Sequence, residues 1–258
     1  MIGVQEDLFS RCQRWRGGRA SYRPAGELFD PSRARVEVLD DDATAKSFVT
    51  REHYSRSYPA ARFRVGLFVK NPFEAEKLAG VAVMSVPITN AVIPAWFPGL
   101  EASQGVELGR FVLLDEVPAN AESWFQARAL KALKRAMPQI RAVVSYCDPV
   151  ARTDTEGQVI FAGHVGTVYL AGNAARLGRS SPRTLKLLPS GHVASERALS
   201  KIRNDECGAG YALKQLIDAG APARSLHESG RAYVERLEHE RFFRPLRHPG
   251  NAVFGWRL

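Results

Sequence analysis

Four side chains of this chain combine a type and a setting suited to moving protons: His53, Tyr54, Asp148 and Tyr169. His53 and Tyr54 begin a polar run, His53-Tyr54-Ser55-Arg56-Ser57, that interrupts a helical stretch. That setting suits substrate contact or proton transfer, with a structural histidine as the alternative. Asp148 closes an apolar strand, and Pro149 behind it favours extended backbone. A carboxylate there serves as a general base or makes an Asx turn before the proline. Tyr169 ends the phrase Gly163-His164-Val165-Gly166-Thr167-Val168-Tyr169 and reads either as an acid or as a core tyrosine. His53, Asp148 and His164 would together make a mixed nitrogen and oxygen site for iron or another ion, although no compact ligand spacing joins them. Cys12, Cys147 and Cys207 are scattered and odd in number, so neither a disulfide framework nor a cysteine-based zinc site is expected.

Positioning these groups calls for a mixed α/β fold. Hydrophobic periodicity predicts a strand over residues 36–39, a helix over 43–52, strands over 63–70 and 78–87, and a long loop over 90–104. A strand over 107–114, a loop containing Pro118, a helix over 121–137 and a strand over 140–147 follow. Phe125, Leu130, Leu133 and Met137 form the apolar stripe of that helix, and Pro138 ends it. Tyr169 is expected to lead into a helix through about residue 175, before a strand over 183–188, helices over 195–203, 210–219 and 231–241, and a strand over 253–258. Residues 1–35 read as a basic, extended arm with at most one short helix, and residues 36–258 as a single domain with a basic C-terminal elaboration.

Arg110 is a charge within the otherwise apolar 107–114 strand. In a regular strand Glu107 points to the opposite face, whereas a bulge at Gly109 would bring both to one face, as an ion pair or as functional groups. Ser123 lies in the first turn of the 121–137 helix, where its hydroxyl and the free N–H groups either hold an anion or simply start the helix.

The formal net charge is +9, and 28 of the 36 basic residues are arginine. Arginine suits bidentate contact with phosphate, so a polyanion is the expected partner, GC-rich codon usage being another source of the ratio. Arg14 and Arg16 flank Trp15, a pattern for phosphate contact with stacking. Arg179, Arg183, Lys201 and Arg203 lie in a second basic stretch whose acid is Glu196, and Arg247 joins Arg241 and Arg244 near the C-terminal end. No run of about 18 apolar residues marks a membrane helix. The opening residues carry Glu6 and Asp7 rather than an apolar stretch, so a cytoplasmic setting is expected.

The order helix, two antiparallel strands, strand, helix, strand, helix, strand resembles the core of the GNAT acetyltransferases. That resemblance implies a mostly antiparallel sheet with a central splayed parallel pair, flanked by helices. It implies a coenzyme running along Arg110, Phe111, Val112 and Leu113, with its pyrophosphate at the helix start around Asn120, Ala121 and Ser123. Several phrases, in order, resemble the Mom family of phages and prophages: His53-Tyr54-Ser55, Glu107-Leu108-Gly109-Arg110-Phe111-Val112-Leu113, Pro118-Ala119-Asn120-Ala121-Glu122-Ser123-Trp124-Phe125, Ser145-Tyr146-Cys147-Asp148-Pro149, the phrase ending in Tyr169, Arg179-Ser180-Ser181-Pro182-Arg183-Thr184-Leu185, and Arg247-His248-Pro249-Gly250-Asn251. This resemblance implies conversion of adenine in DNA to its N6-carbamoylmethyl form, which shields phage DNA from restriction enzymes. The implied partner is double-stranded DNA, with the adenine flipped out of the stack.

The N6 amine of adenine is a poor nucleophile, because its lone pair is delocalised into the ring, and it needs a base or a very reactive electrophile beside it. Acetyl-CoA is the cofactor that the GNAT resemblance implies. The loop over 117–122 speaks against it, having no glycine and placing Glu122 in the first helical turn, where a pyrophosphate would be repelled. Two other functions share parts of this reading. An acetyltransferase acting on an amine metabolite or protein leaves the basic surface unexplained, and a non-catalytic DNA-binding protein leaves Asp148 without a task.

Overall fold

The computed structural model describes residues 11–16, 19–24 and 26–258, including all their side chains except those of Arg11, Trp15, Arg16 and Arg19. The chain forms two compact units, one of residues up to 149, 164–180 and 251–258, the other of residues 150–163 and 181–250.

The first unit is built on a seven-stranded sheet among the described residues. Its strands are β3 (Ala34–Val38), β4 (Ala61–Val69), β5 (Lys77–Ser85), β6 (Gly105–Leu113), β7 (Ala142–Cys147), β10 (Ala175–Arg179) and β13 (Ala252–Arg257). They lie in the order β10-β13-β7-β6-β5-β4-β3, and every neighbouring pair is antiparallel except β6 and β7. This is the expected fold class: a mixed, mostly antiparallel sheet with one central parallel pair and helices on its faces.

Helices cover both faces, which is why β4 and β5 are apolar almost throughout rather than alternating. On one face α1 (Asp42–Glu52) starts at Asp41, whose carboxylate accepts the Thr44 N–H. It buries Ala45, Phe48 and Val49, at helical spacing, against Val81, Val83 and Val112. On the other face α3 (Ala121–Ala136), the crossover between β6 and β7, buries Phe125, Ala129, Leu130 and Leu133 among Leu67, Ala82 and Met84.

Several local expectations need correction. The N-terminal arm, expected to be extended with at most one short helix, forms a β-hairpin, β1 (Arg11–Arg16) with β2 (Arg19–Pro24). The 90–104 loop contains a short helix, α2 (Val92–Trp96). The helix carrying Tyr169, α4 (Thr167–Ala171), stops before Gly172 and Asn173, and residues 175–179 turn out to be strand β10. Asn173 takes a left-handed conformation, φ 61°, which asparagine tolerates better than most residues and which ends a helix.

The second unit carries its own core. Strand β8 (Arg152–Thr153) pairs with β9 (Val159–Phe161), and β11 (Arg183–Leu187) pairs with β12 (Arg244–His248). The β12 strand, with Pro245 inside it, was not expected. Helices α5 (Glu196–Arg203), α6 (Ala209–Asp218) and α7 (Gly230–His239) pack through Leu199, Ile202, Leu216, Tyr233, Val234 and Leu237. No helix among the described residues is long and apolar enough to cross a membrane.

Candidate active site

The parallel pair of the first unit opens. Gly105 pairs with Ala142, Val106 with Val143 and Glu107 with Val144, and beyond Glu107 the two strands part. At the mouth of the opening the Ser145 hydroxyl donates to the Leu108 carbonyl at 3.0 Å. On its other edge β6 pairs with β5, where Val83 faces Arg110 and Met84 faces Leu108, so Gly109 is an extra, bulged residue. A Cβ at Gly109 would lie 2.4 Å from the Ser85 hydroxyl, so a residue with a side chain does not fit there. The bulge turns Arg110 to the side of Glu107, as the spacing suggested, and their charges act on each other.

One hydrogen bond of Arg110 goes back to its own bulge, from Nη1 to the Gly109 carbonyl at 2.5 Å, and the others go to the segment after α1. Its Nε donates to the Ser57 carbonyl at 2.8 Å and its Nη2 to the Ser57 hydroxyl at 2.7 Å. This clamp fixes the run that begins with His53, the residue at which α1 ends. His53 is 8% exposed and lies against the Tyr54 ring, with centroids 4.2 Å apart. The Ser55 backbone N–H donates to its Nδ1 at 3.1 Å.

A second histidine is held in the same way. The Gly166 N–H donates to His164 Nδ1 at 3.3 Å, and the His164 N–H donates to the Asp148 carbonyl at 2.7 Å. Tyr169 is 6% exposed and sits 5.8 Å from the His164 ring, 5.4 Å from Phe254 and 5.9 Å from Trp256. His53 and His164 are close enough for their charges to interact, as are Tyr54 and Tyr169, and Asp148 and His164.

Electrostatics assigns these groups different tasks. Burial drives the His53 imidazole down to about 3, with Arg110 and His164 adding to the effect. Burial takes His164 down to about 4, against the pull of Asp148. Both rings are therefore neutral near pH 7. A backbone N–H can only donate, so Nδ1 of each ring carries the lone pair and the proton sits on Nε2. Each ring presents a neutral hydrogen-bond donor rather than a base. Burial also pushes the Tyr169 phenol far above its usual range, keeping it protonated, with a Ser145 hydrogen bond opposing. The proton acceptors left are the carboxylates of Glu107, raised by burial against the opposing charge of Arg110, and of Asp148. The Cys147 thiol is pushed up to about 12 by burial, with Asp148 adding to it, and so is no thiolate nucleophile.

The structure thus brings His53, Tyr54, Arg110, Asp148, His164 and Tyr169 into one region and adds Glu107 and Ser145. Glu107 had been read only as a partner for Arg110; its signal was an acid inside an apolar strand. The expected coenzyme track is less well matched. Phe111 stacks on Phe125 at 5.4 Å, and Val112 and Leu113 are buried, so these side chains belong to the core. Ala121 is fully buried, Asn120 makes no side-chain cap, and the Ser123 hydroxyl donates to the Asn120 carbonyl at 3.4 Å. Among the described residues no three His, Cys, Asp or Glu side chains converge as metal ligands.

The expected DNA contacts divide. Arg14 is 5% exposed and ion-paired with Glu122 at 3.1 Å, so its guanidinium is held inside the first unit rather than offered to phosphate. The side chain of Arg16 lies outside the described residues. Arg203 reaches Glu196 at 3.4 Å and Glu238 at 3.3 Å. Lys201 is half-buried, and Arg179 ends β10. Arg183 and Arg247 are exposed on β11 and β12, where Arg183 faces His248 and Thr184 faces Arg247, placing the two arginines on opposite faces of that ribbon.

Residues 35–228 match the model of the Mom protein family. No curated protein matches the chain. Among solved structures, a tandem GNAT protein from the clavulanic acid biosynthesis pathway, determined without AcCoA, aligns with 87% of this chain and 98% of its own, at 8% identity and a TM-score of 0.41.

Proposed function

The chain belongs to the Mom protein family, a family of phage DNA modification, and from that premise we propose that it is a transferase converting adenine in DNA to N6-carbamoylmethyladenine, shielding the DNA from restriction enzymes. The observation that carries this reading is the gathering of two neutral Nε2–H imidazoles and two carboxylates where β6 and β7 part.

An exocyclic amine needs that combination. The adenine leaves the base stack and enters the opening. The imidazoles of His53 and His164 donate to the ring nitrogens, which are acceptors, and orient the base. Glu107 or Asp148 takes the N6 proton, restoring the lone pair that delocalisation withholds, as the new N–C bond forms and the bond between the donor's methylene carbon and its leaving group breaks, that group departing with the electron pair. Arg110, clamped to Ser57, holds the His53 segment over the base. Exposed cations such as Arg183 and Arg247 supply phosphate contacts.

Mass spectrometry of nucleosides from plasmid DNA made with and without this protein tests the proposal. A modified deoxyadenosine is expected with the wild-type chain and none with Asp148→Asn. Unmodified DNA from cells making folded wild-type protein defeats the reading.

A further inference from the structure

We infer that the entrance to α3, the place where the GNAT core holds a coenzyme pyrophosphate, is occupied in this protein by its own Glu27 carboxylate, so that it does not accept a nucleotide diphosphate. A diphosphate site of this kind consists of consecutive backbone N–H groups that point outward, together with the positive end of a helix dipole. Here the N–H groups of Val117, Ala119, Ala121 and Glu122 have partners. Val117 donates to the Leu114 carbonyl at 3.1 Å, Ala121 to Pro118 at 3.1 Å and Glu122 to Ala119 at 3.2 Å. Pro118 has no N–H to offer. The remaining one among these, on Ala119, donates to Glu27 Oε2 at 3.2 Å.

Glu27 is placed there by the N-terminal hairpin. Arg23 holds it through Nε at 2.6 Å and anchors the pair to the Asp115 carbonyl, also at 2.6 Å. Ser21 donates to the Asp115 carboxylate at 2.6 Å. The Arg23 hydrogen bonds keep Glu27 below the usual carboxylate range, so it remains an anion at neutral pH. Arg14, the cation nearest the helix start, has Nη2 on the Val117 carbonyl at 3.1 Å and Nε on Glu122. An incoming diphosphate would meet these four amides already bonded, Arg23 held by Glu27, Arg14 ion-paired with Glu122, and the carboxylates of Glu27, Asp115 and Glu122. A carboxylate at a helix start exploits the same dipole as a phosphate would, so the hairpin occupies the role the coenzyme has elsewhere.

The consequence concerns how the group donor of the proposed reaction is held: it enters without a diphosphate handle on this loop. The test contains no DNA, so it stands or falls separately from the modification assay. Full-length protein labelled with nitrogen-15 is titrated with coenzyme A and, separately, with inorganic pyrophosphate. The amide signals of Val117, Ala119, Ala121 and Glu122 are expected to stay in place up to about 1 mM ligand, the weak limit of specific affinity. Saturable movement of these signals with either ligand overturns the inference. In Glu27→Ala the Ala119 amide loses its acceptor, and its exchange with deuterated solvent is expected to accelerate about tenfold or more. Unchanged exchange in a folded variant shows that Glu27 does not occupy the site and overturns the inference as well. The wild-type titration decides the matter whether or not the variant folds.

Discussion

The two ends of β6 treat their polar groups in opposite ways. At the Glu107 end, where the strand leaves β7, the charged and titratable groups act on one another across space, and the imidazoles are steered by backbone N–H bonds to Nδ1, joined at His53 by the Ser55 hydroxyl. At the far end, in the loop before α3, carboxylates and guanidiniums lock together in direct contact and amides bond within the chain. The first arrangement can still answer to a substrate. The second is finished, and its product is a stable turn.

Substituting the Glu107 end is expected to have the largest effect. Asp148→Asn and Glu107→Gln each leave the protein folded and reduce DNA modification by about a hundredfold or more, the scale of a lost general base. His53→Ala and Tyr169→Phe lower product yield without a matching fall in DNA affinity. Nucleoside mass spectrometry and a DNA-binding titration on the same preparations check both statements, and full yield in all four variants moves the active site elsewhere.

The loop end responds in stability instead. Arg14→Ala leaves Glu122 buried beside the helix start and is expected to cost about 3–5 kcal/mol, seen in chemical denaturation, because a buried charge has lost its partner. A variant as stable as wild type would erase the contrast between the two ends.

A pH series sharpens it further. The folded imidazoles lie near 3 for His53 and 4 for His164, against about 6.5 in the unfolded chain. As pH falls below about 6.5 the unfolded chain takes up protons that the folded chain refuses, so stability is full above that pH and drains away down to about 4 and then 3. The loss is roughly 3 kcal/mol for His164 and roughly 5 kcal/mol for His53. In His164→Asn, where the amide oxygen can replace Nδ1 as acceptor, the decline between pH 6.5 and 4 is expected to be shallower; an identical decline shows that other groups cause it.

The smallest effects lie outside both regions. Charge reversal at Arg183 or Arg247, both exposed, should flatten the salt dependence of duplex binding by roughly one unit each. Arg203→Ala should leave the slope alone and lower stability by under about 1 kcal/mol, since Arg203 already pairs with Glu196 and Glu238. A slope unchanged at all three positions places the DNA surface elsewhere.

Much of the Glu107 end was legible in the sequence. The apolar run of β6, the stripe of α3 and the apolar run of β7 left little choice of element, and a lone Arg110 after a glycine pointed to the bulge. The hairpin was harder to read. An arginine beside a tryptophan looks the same whether its counterion is a DNA phosphate or a distant glutamate, and Arg14 has Glu122. Glu27 gave no local sign that it would reach the Ala119 amide, because that bond depends on how the hairpin lies over the loop. The β12 strand went unread because Pro245 breaks the pattern; it is tolerated in a two-stranded ribbon, where an edge needs no amide donor.

Gly109 has one further consequence. Alternation along a strand assigns each residue a side by odd or even count, and the bulge changes that count once, between Leu108 and Arg110. Were Gly109 to take a place in the ladder opposite Val83 instead of bulging, the composition of β6 would be the same while everything after it changed sides. Val112, now under α1, and Leu113, now under α3, would trade cores, and Arg110 would leave the opening. The parity of this strand, as much as any one side chain, decides which chemistry faces the substrate.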